Sequence, residues 1–111
     1  MDTQLKKGLL DACVLSVLSG GKSYGYKIVQ EMTDCVKISE STLYPILRRL
    51  EVAGCLNTSS AEHNGRLRKY YSITAQGRGK IEDFLSEFDE ILNIYTFIRE
   101  STSKGGNQND A

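Results

Sequence analysis

Apolar positions recur at helical spacing in four stretches of the chain, and at a looser, strand-like spacing in one. The first stretch holds Leu5, Leu9, Leu10, Ala12, Cys13, Val14, Leu15, Val17 and Leu18. It predicts a helix from an N-cap at Asp2 or Thr3 to about Leu18, apolar around much of its circumference. Such a helix needs cover on more than one side, which a small domain obtains best from a second subunit. Gly20 and Gly21 end it, and Ser23 is placed to cap a second helix over 24–32 with Ile28, Val29 and Met32 inward. After a turn over 33–39, Leu43, Ile46, Leu47 and Leu50 form an i, i+3, i+4, i+7 stripe. This third helix is expected to open near Ser41 or Thr42, because Pro45 belongs in an opening turn, and to stop at Gly54.

A candidate strand over 55–60 follows, then His63-Asn64-Gly65, a turn signal suited to positive φ, then a second strand over 66–73. Alternation there puts Leu67, Tyr71 and Ile73 inward and Arg66, Arg68 and Tyr70 outward, with Lys69 on the inner parity. Thr74 caps a last helix to about Glu100, about 39 Å long at 1.5 Å per residue and too long for a small core alone. Ile81, Phe88 and Tyr95 recur every seven residues, as do Phe84, Ile91 and Ile98, which makes an a/d seam for pairing with another helix. Residues 101–111 lack periodicity and read as a disordered tail. The expected fold is therefore mainly α with a small β-hairpin: a winged helix-turn-helix over 1–73, a dimerisation helix over 74–100, and the tail.

Charge changes the picture by its distribution, not its sum. The 111 residues carry no net charge. Residues 1–73 hold ten Lys/Arg against seven Asp/Glu, whereas 74–111 hold four against seven, so a basic part and an acidic part are segregated along the chain. No apolar run is long enough for a membrane span and no signal peptide is indicated, so a cytoplasmic location is expected. Three cysteines without a C-x-x-C pair, and one histidine, His63, point away from structural zinc or a disulfide framework. No metal or cofactor is expected. Cys13 and Cys55 read as small core residues, while Cys35, in a polar turn, is the one placed for redox chemistry.

On another face of the third helix lie Ser41, Tyr44, Pro45 and Arg48, and Ser41, Thr42 and Tyr44 stand at its N-terminus. Hydroxyls at a helix N-terminus, beside unpaired N–H groups, suit phosphate or base edges. Arg48, one turn on, suits a phosphate or a guanine edge, against the alternative of an ion pair with Glu51 or Glu62. Arg66, Arg68 and Lys69 suit phosphates beside the minor groove, although cations at a sheet edge also block edge pairing. Lys6, Lys7, Ser23 and Tyr24 are placed to add backbone contacts. Leu5, Leu9, Ile81, Phe84, Phe88, Ile91, Tyr95 and Ile98 are the candidate dimer residues, with a role as a ligand box left open.

Three motifs carry a family resemblance: Tyr24-Gly25-Tyr26, the run Ser-x-Ser-Thr-Leu-Tyr-Pro-x-Leu-x-Arg-Leu-Glu-x-x-Gly from Ser39, and residues 65–71 followed by Thr74. Over roughly 5–98 the chain resembles the PadR family of bacterial transcriptional regulators. One departure is Ser41, where the family commonly has glycine. The resemblance implies a winged helix-turn-helix, a homodimer built through the first and last helices, and repression relieved by a small molecule. The single C-terminal helix resembles the short branch of the family, which includes regulators of multidrug efflux. Those can stack flat aromatic ligands on a tryptophan, and this chain has none, so no ligand class carries over.

The expected function is a dimeric, sequence-specific regulator, a repressor relieved by an apolar or aromatic effector, bound to double-stranded DNA at an inverted-repeat operator. The alternative is a winged-helix module that holds a protein partner without specific DNA binding. No Ser-His-Asp set, inward carboxylate pair, metal cluster or phosphate-cradling glycine loop argues for an enzyme.

Overall fold

A computed structural model describes residues 3–109, with side chains described for 3–104. The order is α1 (Thr3–Leu18), α2 (Gly25–Met32), α3 (Glu40–Val52), β1 (Leu56–His63), β2 (Arg66–Ile73) and α4 (Ala75–Asn109). The arrangement is that of a winged helix-turn-helix: three helices, an antiparallel hairpin and a long C-terminal helix. Asp2, one of the expected α1 caps, lies outside the described residues.

The helices form where the apolar stripes predict them, and the stripes meet. Val14, Leu15 and Leu18 of α1, Ile28 and Met32 of α2, and Leu43, Ile46, Leu47 and Leu50 of α3 are buried together. Cys55, Leu56 and Tyr71 close this core from the hairpin side. Each fully buried leucine contributes roughly 1.5–3 kcal/mol through removal of apolar surface from water. One charged group crosses the core edge: Asp11 of α1, nearly fully buried, is ion-paired with Arg49 of α3. The pair ties α1 to the helix-turn-helix.

Four boundaries differ from the sequence expectation. Ser23 does not cap α2; its backbone pairs with Tyr71 in both directions (3.0 and 2.8 Å), an isolated antiparallel bridge beside the hairpin. Tyr24 takes the N-cap place without a side-chain hydrogen bond. The α3 helix opens at Glu40, earlier than Ser41 or Thr42, because Ser39 Oγ accepts from the Thr42 N–H (3.2 Å) and caps it. Pro45 consequently sits in the second turn, where its ring nitrogen offers no N–H to the Ser41 carbonyl; the helix holds because its whole inner face is buried. The first hairpin arm is longer than expected, β1 reaching His63, while β2 spans Arg66–Ile73 as expected. Finally, α4 continues past Glu100 through Asn109 instead of giving way to an irregular tail. Once a helix is nucleated, each further residue adds a hydrogen bond at the cost of fixing only itself, so polar composition alone does not stop it.

The ends of the elements show how the wing is aimed. Gly54 (φ 82°) lets α3 close with hydrogen bonds Cys55 N–H to Leu50 C=O (2.9 Å) and Gly54 N–H to Glu51 C=O (3.0 Å), the Schellman arrangement. Thr74 Oγ1 then donates to the Gly54 carbonyl (2.7 Å) and accepts from the Gly77 N–H (3.0 Å), so the cap of α4 is bolted to the end of α3. Between these fixed points the strands pair in register from Leu56 with Ile73 to His63 with Arg66. Asn64 (φ 53°) and Gly65 (φ 78°) turn the hairpin with the positive angles expected of that pair.

Candidate nucleic-acid interface

The N-terminal half of α3, the start of α2 and the wing converge on one side of the molecule. An open groove of about 510 Å³ runs between them, lined by Tyr24, Tyr26, Glu40, Tyr44, Arg66 and Lys69 among others. Ser41, Thr42, Tyr44, Pro45 and Arg48 are exposed on α3, as burial of the opposite stripe requires. Ser39, Ser41 and Thr42 share hydroxyl hydrogen bonds, Ser39 Oγ lying 2.8 Å from Ser41 Oγ and 3.1 Å from Thr42 Oγ1. Their oxygens are thereby clustered at the positive end of the helix dipole.

Arg48 makes no ion pair or hydrogen bond among the described residues, and Glu51, its suggested partner, instead accepts from Thr58 Oγ1 (3.2 Å). The Tyr44 hydroxyl donates to Glu40 Oε2 (3.1 Å). Burial, reinforced by the Glu40 carboxylate, pushes the Tyr44 phenol above its ordinary value. The close packing needs Gly25, since a Cβ there would stand 2.6 Å from the Tyr44 hydroxyl. This is the physical reason for glycine in the Tyr24-Gly25-Tyr26 run.

In the wing, Arg66 and Lys69 are exposed and Arg68 is half-buried. The Arg68 guanidinium lies 3.8 Å from the centre of the Tyr24 ring, and Tyr24 meets Tyr70 edge to face at 5.7 Å. Lys22 Nζ stands 5.5 Å over Tyr70, and Lys69 Nζ 5.5 Å over Tyr71. Arginine and lysine stacked on tyrosine faces are held in place yet keep their charge, each contact being worth about 0.5–1 kcal/mol when exposed. The stack joins α2 to the wing and pre-positions the cations. Leu67, expected inward, is 80% exposed, because β2 has run beyond the core by that point.

Of the site residues expected from sequence, Tyr24, Tyr44, Arg66, Arg68 and Lys69 line this groove, while Ser41, Thr42 and Arg48 are exposed on α3 outside its lining. Ser23 is not available: it is 4% exposed, its hydroxyl is buried without a partner, and its backbone serves the sheet. Lys6 and Lys7 are exposed on the first turns of α1 and line no part of this groove. Sequence reasoning passed over Lys22 and Tyr70. Tyr70 alternates outward with Arg68, which is the one signal that would have found the stack; Lys22 was hidden in what read as a helix stop.

Comparison with known proteins agrees with this geometry. Residues 14–83 match the model of the transcriptional regulator PadR-like family. The fold is similar to smu.1704 from Streptococcus mutans UA159, at 39% identity and a TM-score of 0.74, covering 85% of this chain and 89% of that one. It is also similar to a PadR family transcriptional regulator from Eggerthella lenta DSM 2243, at 31% identity and a TM-score of 0.78, covering 87% of both chains. At 23% identity and a TM-score of 0.65 it shares its fold with Bacillus subtilis PadR, solved in complex with operator DNA, over 69% of this chain and 46% of that one. With the family motifs lying on the hydroxyl-rich start of α3, the Gly25 contact and the basic wing, and the family model spanning α2, α3 and the whole hairpin, the chain belongs to the PadR-like family of transcriptional regulators.

Proposed function

We propose that the chain acts as a homodimeric repressor that reads an inverted-repeat operator with two copies of α3 and grips phosphate with two wings. The observation that carries the reading is the groove in which Glu40 and Tyr44 of α3 face Arg66, Arg68 and Lys69 of the wing, next to the hydroxyl cluster at the N-terminus of α3. Arg48 is assigned to a base edge or phosphate in the major groove, Ser41, Thr42 and Tyr44 to phosphate or base edges, and Arg66, Arg68 and Lys69 to phosphate. Lys22 and Tyr24 support the wing from below. The operator complex of the Bacillus subtilis relative supports the same class of ligand.

Pairing of two chains is supported by α4. Ile91, Tyr95 and Ile98 are more than half exposed, and Ile81, Phe84 and Phe88 are only partly covered. Among the described residues nothing fully covers Ile91, Tyr95 or Ile98. Leu9 of α1 lies with Ile81, Phe84 and Leu85 along an apolar cavity of about 370 Å³ at the α1–α4 junction; Leu5 and Phe88 line a neighbouring one of about 290 Å³. An apolar or aromatic effector is assigned to this region, where it would alter the separation of the two α3 helices.

Selection of bound sequences from a random DNA pool tests the reading. An enriched inverted repeat, with half-sites about 34 Å apart, is the expected result. Failure to enrich any sequence, with retention of a protein partner when the wing cations are reversed, would favour a protein-binding module instead. Adding apolar aromatic compounds to the selection should release the DNA if the effector assignment holds.

A further inference from the structure

Cys13 on α1 and Cys35 in the turn after α2 stand 22 residues apart in sequence, yet their Sγ atoms are 3.8 Å apart. Both are free thiols. A disulfide needs about 2.05 Å between sulfurs, so bonding requires the two to approach through side-chain rotation and movement of the exposed turn. The turn itself is held from below by hydrogen bonds from the Cys35 and Val36 N–H groups to the Met32 carbonyl (2.9 and 2.8 Å), which keep Cys35 over α1. No group of three or more His, Cys, Asp or Glu able to hold a metal occurs among the described residues. Burial and the neighbouring Cys35 raise the Cys13 thiol above its ordinary value, whereas Cys35 is exposed. Cys35 is therefore the sulfur that meets an oxidant first.

We infer that Cys13 and Cys35 form a site of reversible intramolecular disulfide formation, driven by peroxide, that staples α1 to the turn leading into α3. In the first step Cys35 sulfur attacks the peroxide: an S–O bond forms, the O–O bond breaks and water leaves. In the second, Cys13 sulfur attacks the resulting sulfenic acid: the S–S bond forms, the S–O bond breaks, and the leaving hydroxide takes the thiol proton as water. Two thiols and one peroxide give one disulfide and two waters. Cys35 lies just ahead of Ser39, the cap of α3, so the staple restrains how α3 sits against α1. A change in operator affinity on oxidation follows, and that consequence alone rests on the proposed DNA-binding role.

The reduced full-length chain is treated with hydrogen peroxide, alkylated and peptide-mapped, and the product is returned to reductant. The expected result is a Cys13–Cys35 link within one chain, free Cys55, and full reversal; Cys13→Ser and Cys35→Ser should each abolish the link. Linkage between chains through Cys35, or oxidation of Cys35 to sulfinic acid without a link, or persistence of both thiols would overturn the site. Operator retention is then compared between reduced and oxidised forms. A several-fold difference confined to the chain with both cysteines supports the coupling, and equal retention overturns it. Absence of DNA binding in either form would count against the DNA-binding role and leave the peptide map standing.

Discussion

Tyr44 shows how much a single residue's role depends on its neighbours. Its hydroxyl donates to Glu40, and its ring leaves no space for a side chain at position 25. Because the phenol is raised in the folded state, the contact is complete below the ordinary tyrosine value and is lost only as pH rises through the higher folded value, above about 10. Ultraviolet titration of phenolate should therefore lose a component on the alkaline side of that value when Tyr44 is changed to Phe. Gly25→Ala should weaken DNA retention by displacing Tyr44, whose hydroxyl and two ring carbons would stand within 3.1 Å of the added Cβ. Arg48→Ala should cost roughly 1–3 kcal/mol of specific affinity and relax sequence preference if Arg48 reads a base; uniform weakening assigns it to phosphate, and unchanged affinity removes it from the interface. The availability of Arg48 was legible in its helical phase. The fate of Ser23 was not, because a serine before a helix reads as a cap whether or not its backbone is claimed by a distant strand.

At the scale of elements, the stability of the reading head lies in how helix ends are joined. The Asp11–Arg49 pair fixes α1 against α3 across the edge of the core. Asp11→Ala should lower unfolding free energy by about 1–3 kcal/mol in chemical denaturation, moderated because Arg49 retains access to water. Gly77 is tighter still: a Cβ there would run into the Cys55 carbonyl and stand 2.7 Å from Ile73 Cγ1. Backbone cannot swing aside, so Gly77→Ala should cost roughly 1–3 kcal/mol and loosen the junction of wing and α4. Helix existence and inward faces followed from period alone: Leu43, Ile46, Leu47 and Leu50 are all buried as their spacing requires. Boundaries did not, because Ser39 and Ser41 are equivalent caps by residue type, and the choice rests on which hydroxyl meets the Thr42 N–H.

Across the whole molecule, a compact head is joined to a helix of 35 residues, about 52 Å long, whose distal apolar residues Ile94, Tyr95, Phe97 and Ile98 are exposed among the described residues. Glutamate at both Ile91 and Ile98 should convert the proposed dimer to monomers in sedimentation or light scattering while helicity and the head's core persist. Retention of the dimer would move the interface elsewhere. Operator affinity should fall with salt, and the slope should shrink by about one for each wing cation removed that touches phosphate. Arg66→Ala and Lys69→Ala are the clean cases; Arg68→Ala also frees Tyr24 and should weaken binding beyond its charge.

What the chain determined by itself is what depends on local spacing and residue chemistry: four helices, a hairpin turned by Asn64 and Gly65, the buried stripe of α3, and a basic part separated from an acidic one. These survive any tertiary arrangement because period and turn geometry act over a few residues. Only the folded structure decided which groups separated in sequence would meet. It set Arg68 on Tyr24, Asp11 against Arg49, Ser23 beside Tyr71 and Cys13 beside Cys35. Such contacts arise from the crossing of α1, α2 and the wing over a shared core, and distance along the chain carries no record of them.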